Sequence, residues 1–170
     1  MKKILFIALS CLLVTAATYA QRYAVIDTKY ILNKMPEYTD ADKKLQLISE
    51  QWKKEIDDRQ AELDKMYKDY DAEQFMLSDD LKKKREDELF NNDKALKDLQ
   101  RKRFGYEGDI FKKRQELIKP IQDRVYTVIQ KLAVSKLYDF ILDKSEGITV
   151  IFADPKLDRS DDVLKELGVK

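Results

Sequence analysis

The sequence predicts a mainly α-helical protein with a small β part: a long antiparallel helical hairpin, a coiled-coil arm, projecting from a small α/β oligomerisation body. Three observations lead there. No proline falls between Pro36 and Pro120, and the 83 residues from Glu37 to Lys119 are helical in pattern. Within that stretch apolar residues recur at steps of three and four, while short β-rich runs lie outside it. Charged residues make up 38% of the chain, and beyond residue 20 the glycines are Gly105, Gly108, Gly147 and Gly168 alone. High charge with so few turn residues indicates long exposed helices rather than one compact globule.

Residues 1–20 read as a signal peptide. Lys2 and Lys3 precede an apolar run from Ile4 to Val14, interrupted only by Ser10, and Thr18-Tyr19-Ala20 offers a cleavage site before Gln21. The run is shorter than the ~20 residues a bilayer span needs. A retained anchor is the alternative reading. Cys11 is a poor lipidation site, because Ala8-Leu9-Ser10 does not match a leucine-led signal. With that segment goes the only cysteine, and the chain has no histidine. Ser-His-Asp and Cys-His catalysis are thereby excluded, as are zinc or copper sites built on nitrogen or sulfur, and no metal or cofactor is expected. What remains holds 31 basic and 32 acidic residues, net −1, which argues against nucleic-acid binding.

The body is expected from residues 21–36 and 120–170, and the arm from 37–119. Tyr23 to Asp27 is a β-rich run containing Val25 and Ile26, and reads as a strand. Thr28 is placed as the cap of a short helix, Lys29 to Met35, which Pro36 terminates. The outgoing arm carries Tyr38, Ala41, Leu45, Ile48, Trp52, Ile56, Leu63, Met66 and Tyr70, one narrow stripe with a stutter after Trp52. The tip is placed near residues 75–80, with Ser78 capping the next helix and Asp79 and Asp80 in its first turn.

On the return, Leu89, Leu96, Leu99, Tyr106, Ile110, Leu117, Ile121, Val125, Val128 and Leu132 hold one stripe, with Asn92 and Arg103 as polar interruptions. Residues 37–77 hold 7 basic and 12 acidic side chains and residues 78–119 hold 13 and 10, so opposite net charges face each other. Gly105 and Gly108 fall inside the return helix, within a turn or two of Trp52. They either make room for the indole or soften the arm. Pro120 marks where the arm enters the body. There, Tyr138, Phe140 and Leu142 alternate, residues 145–147 turn, and Ile148, Val150 and Phe152 alternate again, which predicts a β-hairpin. Pro155 ends it, and Ser160, Asp161 and Asp162 open a last helix, Val163 to Leu167, before Gly168.

The start Ala24-Val25-Ile26-Asp27, the tip Leu77-Ser78-Asp79-Asp80, and the tail Phe152-Ala153-Asp154-Pro155 with Leu157-Asp158-Arg159-Ser160-Asp161-Asp162-Val163 resemble the Skp/OmpH family of periplasmic chaperones. The order of elements does too, over essentially the whole chain after residue 20. The resemblance implies a periplasmic homotrimer whose β-rich bodies associate, with Val25, Ile26, Tyr138, Phe140, Leu142, Ile148, Val150 and Phe152 as the oligomerisation candidates. Its arms would enclose unfolded outer-membrane proteins and prevent their aggregation. The best-known members are strongly basic and this chain is near neutral, so lipid or lipopolysaccharide contact is at most weak.

Phe75, Met76, Phe90, Phe104 and Phe111 lie off the seam, and a two-helix hairpin covers only one stripe per helix. They either pack at the seam's edge or give a holdase its many weak client contacts. The basic run Lys82-Lys83-Lys84-Arg85, with Arg101-Lys102-Arg103 and Lys112-Lys113-Arg114, reads either as solvated face or as a contact for acidic clients and head groups. Carboxylates alternate with lysine and arginine on polar faces, where nothing shifts a pKa, so no enzyme is expected. The second functional reading is a structural coiled-coil tether or adaptor of the envelope.

Overall fold

A computed structural model describes residues 21–145 and 150–169. The chain divides into two compact units, Leu32–Tyr126 and the residues on either side of it. The signal-peptide expectation, residues 146 and 147 of the expected turn, and Ile148 all lie outside the described residues.

The Leu32–Tyr126 unit is the helical hairpin. The helix before it, α1 (Thr28–Lys34), ends just short of Pro36, which opens α2 (Pro36–Glu73) at its first position. A proline there loses nothing, because the first N–H groups of a helix have no helical partner. α2 runs unbroken for 38 residues, about 57 Å at 1.5 Å per residue. Residues 74–77 turn the chain, Ser78 takes extended backbone, and α3 (Asp79–Phe104) begins with the two aspartates in its first turn. Ser78 sits at the capping position but its side chain makes no capping bond. The expected stripe forms the seam: Ile56 and Leu63 of α2 bury against Leu89 and Leu96 of α3, with Met66, Tyr70 and Leu99 packed around them.

The return arm is not one helix. α3 stops at Phe104, α4 spans Asp109–Leu117, and α5 (Lys119–Lys136) starts after a single interruption at Ile118, with Pro120 in its first turn. The two glycines flank the first break instead of lying inside a helix. A Cβ on Gly105 would sit 2.3 Å from the Arg101 carbonyl oxygen, and one on Gly108 would sit 2.9 Å from the Gly105 and Lys102 oxygens. They make room for backbone, not for the indole. Register explains why a break occurs at all. Tyr70 bonds Glu86 and Glu37 pairs with Arg124, so 33 positions on the outgoing side match 38 on the return. Helices lying side by side rise equally per residue, and the non-helical residues absorb the surplus. Nearer the base, Ala41 and Leu45 bury with Ile118, flanked by Tyr38, Ile110, Leu117 and Ile121.

Tyr106 falls in the break and is 96% exposed, so its assignment to the return stripe is corrected. Direct pairing between the oppositely charged arms is sparse. Among the described residues it includes Glu55–Arg103 and Glu37–Arg124, while Arg85–Glu88, Lys97–Asp93 and Lys113–Glu116 stay within single helices.

In the other unit, β1 (Tyr23–Ile26) pairs in parallel with β2 (Phe140–Asp143), Tyr23 opposite Phe140 and Ile26 opposite Asp143. On its other side Val25 bridges to Asp158, and the Arg159 N–H donates to the Val25 carbonyl at 2.8 Å. Covered along both edges, Ala24, Val25 and Ile26 are all buried, which is why this strand reads as a continuous apolar run. The expected hairpin is therefore corrected. β2 takes β1 as its partner, and Val150, Ile151 and Phe152 adopt no strand. Alternation signalled a strand correctly but carries no information about which strand it joins. A 3₁₀ turn at Pro155–Leu157 and α6 (Ser160–Glu166) complete the unit, and Gly168 closes it at φ +75°. Among the described residues no helix is long and apolar enough to cross a membrane.

Candidate functional site

The apolar side chains that the seam leaves out are set by helical geometry. Phe75 and Met76 stand in the turn, beyond the last packed turn of either helix, and are 86% and 80% exposed. Phe90 follows Leu89; with Leu89 turned into the seam, a rotation of about 100° carries Phe90 out, to 66% exposure. Phe104 and Phe111 are more than two-fifths exposed, Phe104 resting edge-on against Trp52 with centroids 6.4 Å apart. Leu47, Tyr67 and Leu81 join the exposed set. Sequence reasoning missed them, although Leu47 stands outside the three-and-four spacing of its neighbours.

The basic run near the turn is only partly free. Lys82 is half-buried, Lys83 and Lys84 are exposed, and Arg85 pairs with Glu88 at 3.0 Å. Arg101 likewise meets Asp98 at 3.7 Å, and Lys113 meets Glu116 at 2.7 Å. Such exposed pairs are weak and leave these charges accessible to an acidic partner. Along the seam, a groove lined by Met66, Tyr70, Arg85 and Leu89 holds about 120 Å³, far less than the several hundred Å³ of a small-molecule site. Tyr70 donates to Glu86 at 2.6 Å, and that bond raises the phenol's pKa.

Arg103 interrupts the seam at mid-arm. Its guanidinium lies 4.6 Å from the Trp52 ring centroid and reaches Glu55 of α2 at 3.3 Å and Asp109 of α4 at 2.9 Å. Its Nε is buried without a hydrogen-bond partner.

The body candidates separate. Val25 and Ile26 are core, whereas Phe140 is half-exposed and stacks on Tyr23 at 5.8 Å with the rings 8° from parallel. Tyr138 accepts from Arg159 Nε at 2.9 Å and carries Arg22 over its ring. Leu142 and Val150 are half-buried; Ile151 and Phe152 are almost fully exposed. Val134 and Leu137, at the end of α5, are exposed as well.

Two aspartates fasten this unit. Asp143 accepts from Thr28 N, Thr28 Oγ1 and Ser145 N, and Asp158 accepts from Lys144 Nζ, Ser160 N and Ser160 Oγ. Burial alone would raise the pKa of Asp143, but the bonds from Thr28 and Ser145 outweigh it and hold the carboxyl below its ordinary value. At Asp158 burial is likewise outweighed, by Lys144 and Ser160. Ser160 Oγ in turn accepts from Asp27 N at 2.9 Å. The cap of α1 is Asp27, which accepts from Tyr30 N at 2.8 Å, and not Thr28, whose hydroxyl is committed to Asp143.

A family profile described as OmpH: Outer membrane protein (OmpH-like) matches residues 22–167. Among solved structures, the chain resembles a candidate outer membrane chaperone (OmpH-like) from Caulobacter crescentus CB15. The TM-score is 0.66 at 17% identity, covering 89% of this chain and 86% of that one. No curated protein matches significantly.

Proposed function

Because the chain belongs to the OmpH-like outer membrane protein family, we propose that it is a periplasmic holdase chaperone, not an enzyme, that keeps unfolded outer-membrane proteins from aggregating. The observation carrying this reading is the set of exposed apolar side chains on a heavily charged hairpin, foremost Phe75, Met76 and Phe90. Each can bury modest area against an extended chain, at about 25 cal/mol per Å². Several together hold a client through contacts that exchange rapidly and need no pocket. A coiled-coil tether has no use for such residues on its faces, nor for a broken return helix.

The proposed assembly is a homotrimer whose arms surround the client. Its support is the apolar surface of the strand-bearing unit: Tyr23 stacked on Phe140, with Val134, Leu137, Ile151 and Phe152 exposed. With the chain near neutral overall, any lipid or lipopolysaccharide contact is weak.

Dilution of a denatured porin into buffer containing the purified protein tests the function. Scattering should be suppressed at molar excess, and a variant carrying Phe75→Ser, Met76→Ser and Phe90→Ser should lose most of that suppression while keeping its helical circular dichroism. Failure of the unaltered protein to suppress scattering would favour the tether.

A further inference from the structure

α4 is a nine-residue helix with no buried residue of its own. The ladder of α3 ends where Gly105 N donates to Arg101, and that of α4 begins where Lys112 N donates to Gly108. Between them Glu107 holds φ +52°, a strained value for a residue with a side chain. So short a helix is marginal by itself, and a single backbone bond, from Gly108 N to the Gly105 carbonyl at 2.9 Å, links its start to the end of α3. The side chain that spans the gap is Arg103. From α3 it reaches Asp109 in the first turn of α4 and Glu55 on α2, and it stacks on Trp52 of α2. The three charged side chains are between about a quarter and a third exposed, so solvent screens them less than a surface pair. Arg59 shares Glu55 at 3.6 Å from the same helix.

We infer that Arg103 is an electrostatic latch fastening α4 to α2, and that α4 opens as a local unit, independently of α3, when the latch is weakened. Opening would uncover Leu45, which is buried, and Ile110, which is half-buried against the same cluster when α4 is closed. The unbroken α2 stays in place as the backing.

Amide hydrogen exchange on the purified protein tests this at about 0.1 M and about 1 M sodium chloride, between which the screening length falls from about 10 Å to about 3 Å. Amides from Lys112 to Leu117 should exchange several-fold faster at high salt, less than the roughly tenfold of a charge-assisted bond lost outright, because the pairs are partly shielded. Those of residues 89–99 should change little. In Arg103→Met, and in Glu55→Gln combined with Asp109→Asn, the salt response of α4 should vanish, whatever either change does to overall stability. Lys113→Gln, which removes only an exposed pair with Glu116, should leave it intact. Exchange of α3 and α4 in step at both salt concentrations would overturn the inference. So would a salt response that persists in Glu55→Gln with Asp109→Asn, the milder change.

Discussion

Leu137 holds φ +55° at the end of α5, where Tyr138 N donates to Ala133 and Leu137 N to Val134. At the end of α6 Gly168 takes the same role at φ +75°, with Val169 N donating to Leu164. The two ends share one closing geometry but not one residue, and a leucine there is strained where glycine is not. Leu137→Gly should raise stability by up to about 1 kcal/mol and Gly168→Ala should lower it by about 1 kcal/mol, read from urea unfolding. In the proposed trimer this exposed leucine is one of the side chains that would be covered on association. Asp143 and Asp158 set the acid response. Their folded pKa values lie below the ordinary carboxylate value near 3.9, so their stabilisation is full above that range and drains as pH falls through the folded values. Thermal unfolding followed from pH 6 downward should show this loss, and Asp143→Asn should flatten part of it while lowering stability at neutral pH by about 1–3 kcal/mol. Gly168 was legible as the end of the last helix, and the bonds of Ser145 to Asp143 and of Ser160 to Asp158 are local, two positions apart. The bond of Thr28 to Asp143, 115 positions away, gave no local signal.

At the scale of elements most of the seam was legible from spacing, though Tyr106 was wrongly included and the buried Ile118 was missed, both at interruptions of the return helix that spacing does not show. Leu63→Ala should cost about 2–4 kcal/mol, since the side chain is buried in a seam with few neighbours able to collapse onto the gap. Phe90→Ala should stay within about 0.5 kcal/mol. Equal unfolding midpoints for the two variants would contradict the assignment of faces. The break at Gly105–Gly108 was harder to read. Interior glycines are tolerated in helices at about 1 kcal/mol each, and only the mismatch in length between the two sides of the hairpin makes an interruption necessary. Arg103 did stand out as a polar residue in an apolar stripe, but its partners Glu55 and Asp109 appear only once the register is known.

For the molecule as a whole, the order of elements was legible and the sheet was not. Parallel pairing of β1 with β2 needs a long crossover, here the entire hairpin and α5, and nothing in the alternation at Tyr138, Phe140 and Leu142 pointed to so distant a partner. The half-exposed Phe140 and the exposed Phe152 are the candidates whose place would change on association. Sedimentation at micromolar concentration should give a trimer, and Phe152→Asp with Leu137→Asp should shift the mass toward the monomer. A well-folded monomer in the unaltered protein would remove the cage from the proposed mechanism.

The parallel pairing also bears on when this chain can finish folding. A polypeptide delivered amino end first presents Ala24, Val25 and Ile26 to its surroundings long before Phe140 exists to lie beside them. The helices can zip outward from their shared turn in the meantime, for their contacts are with near successors along the chain. This strand must wait for almost the last thing made, and until then its three apolar side chains are themselves a small unfolded client.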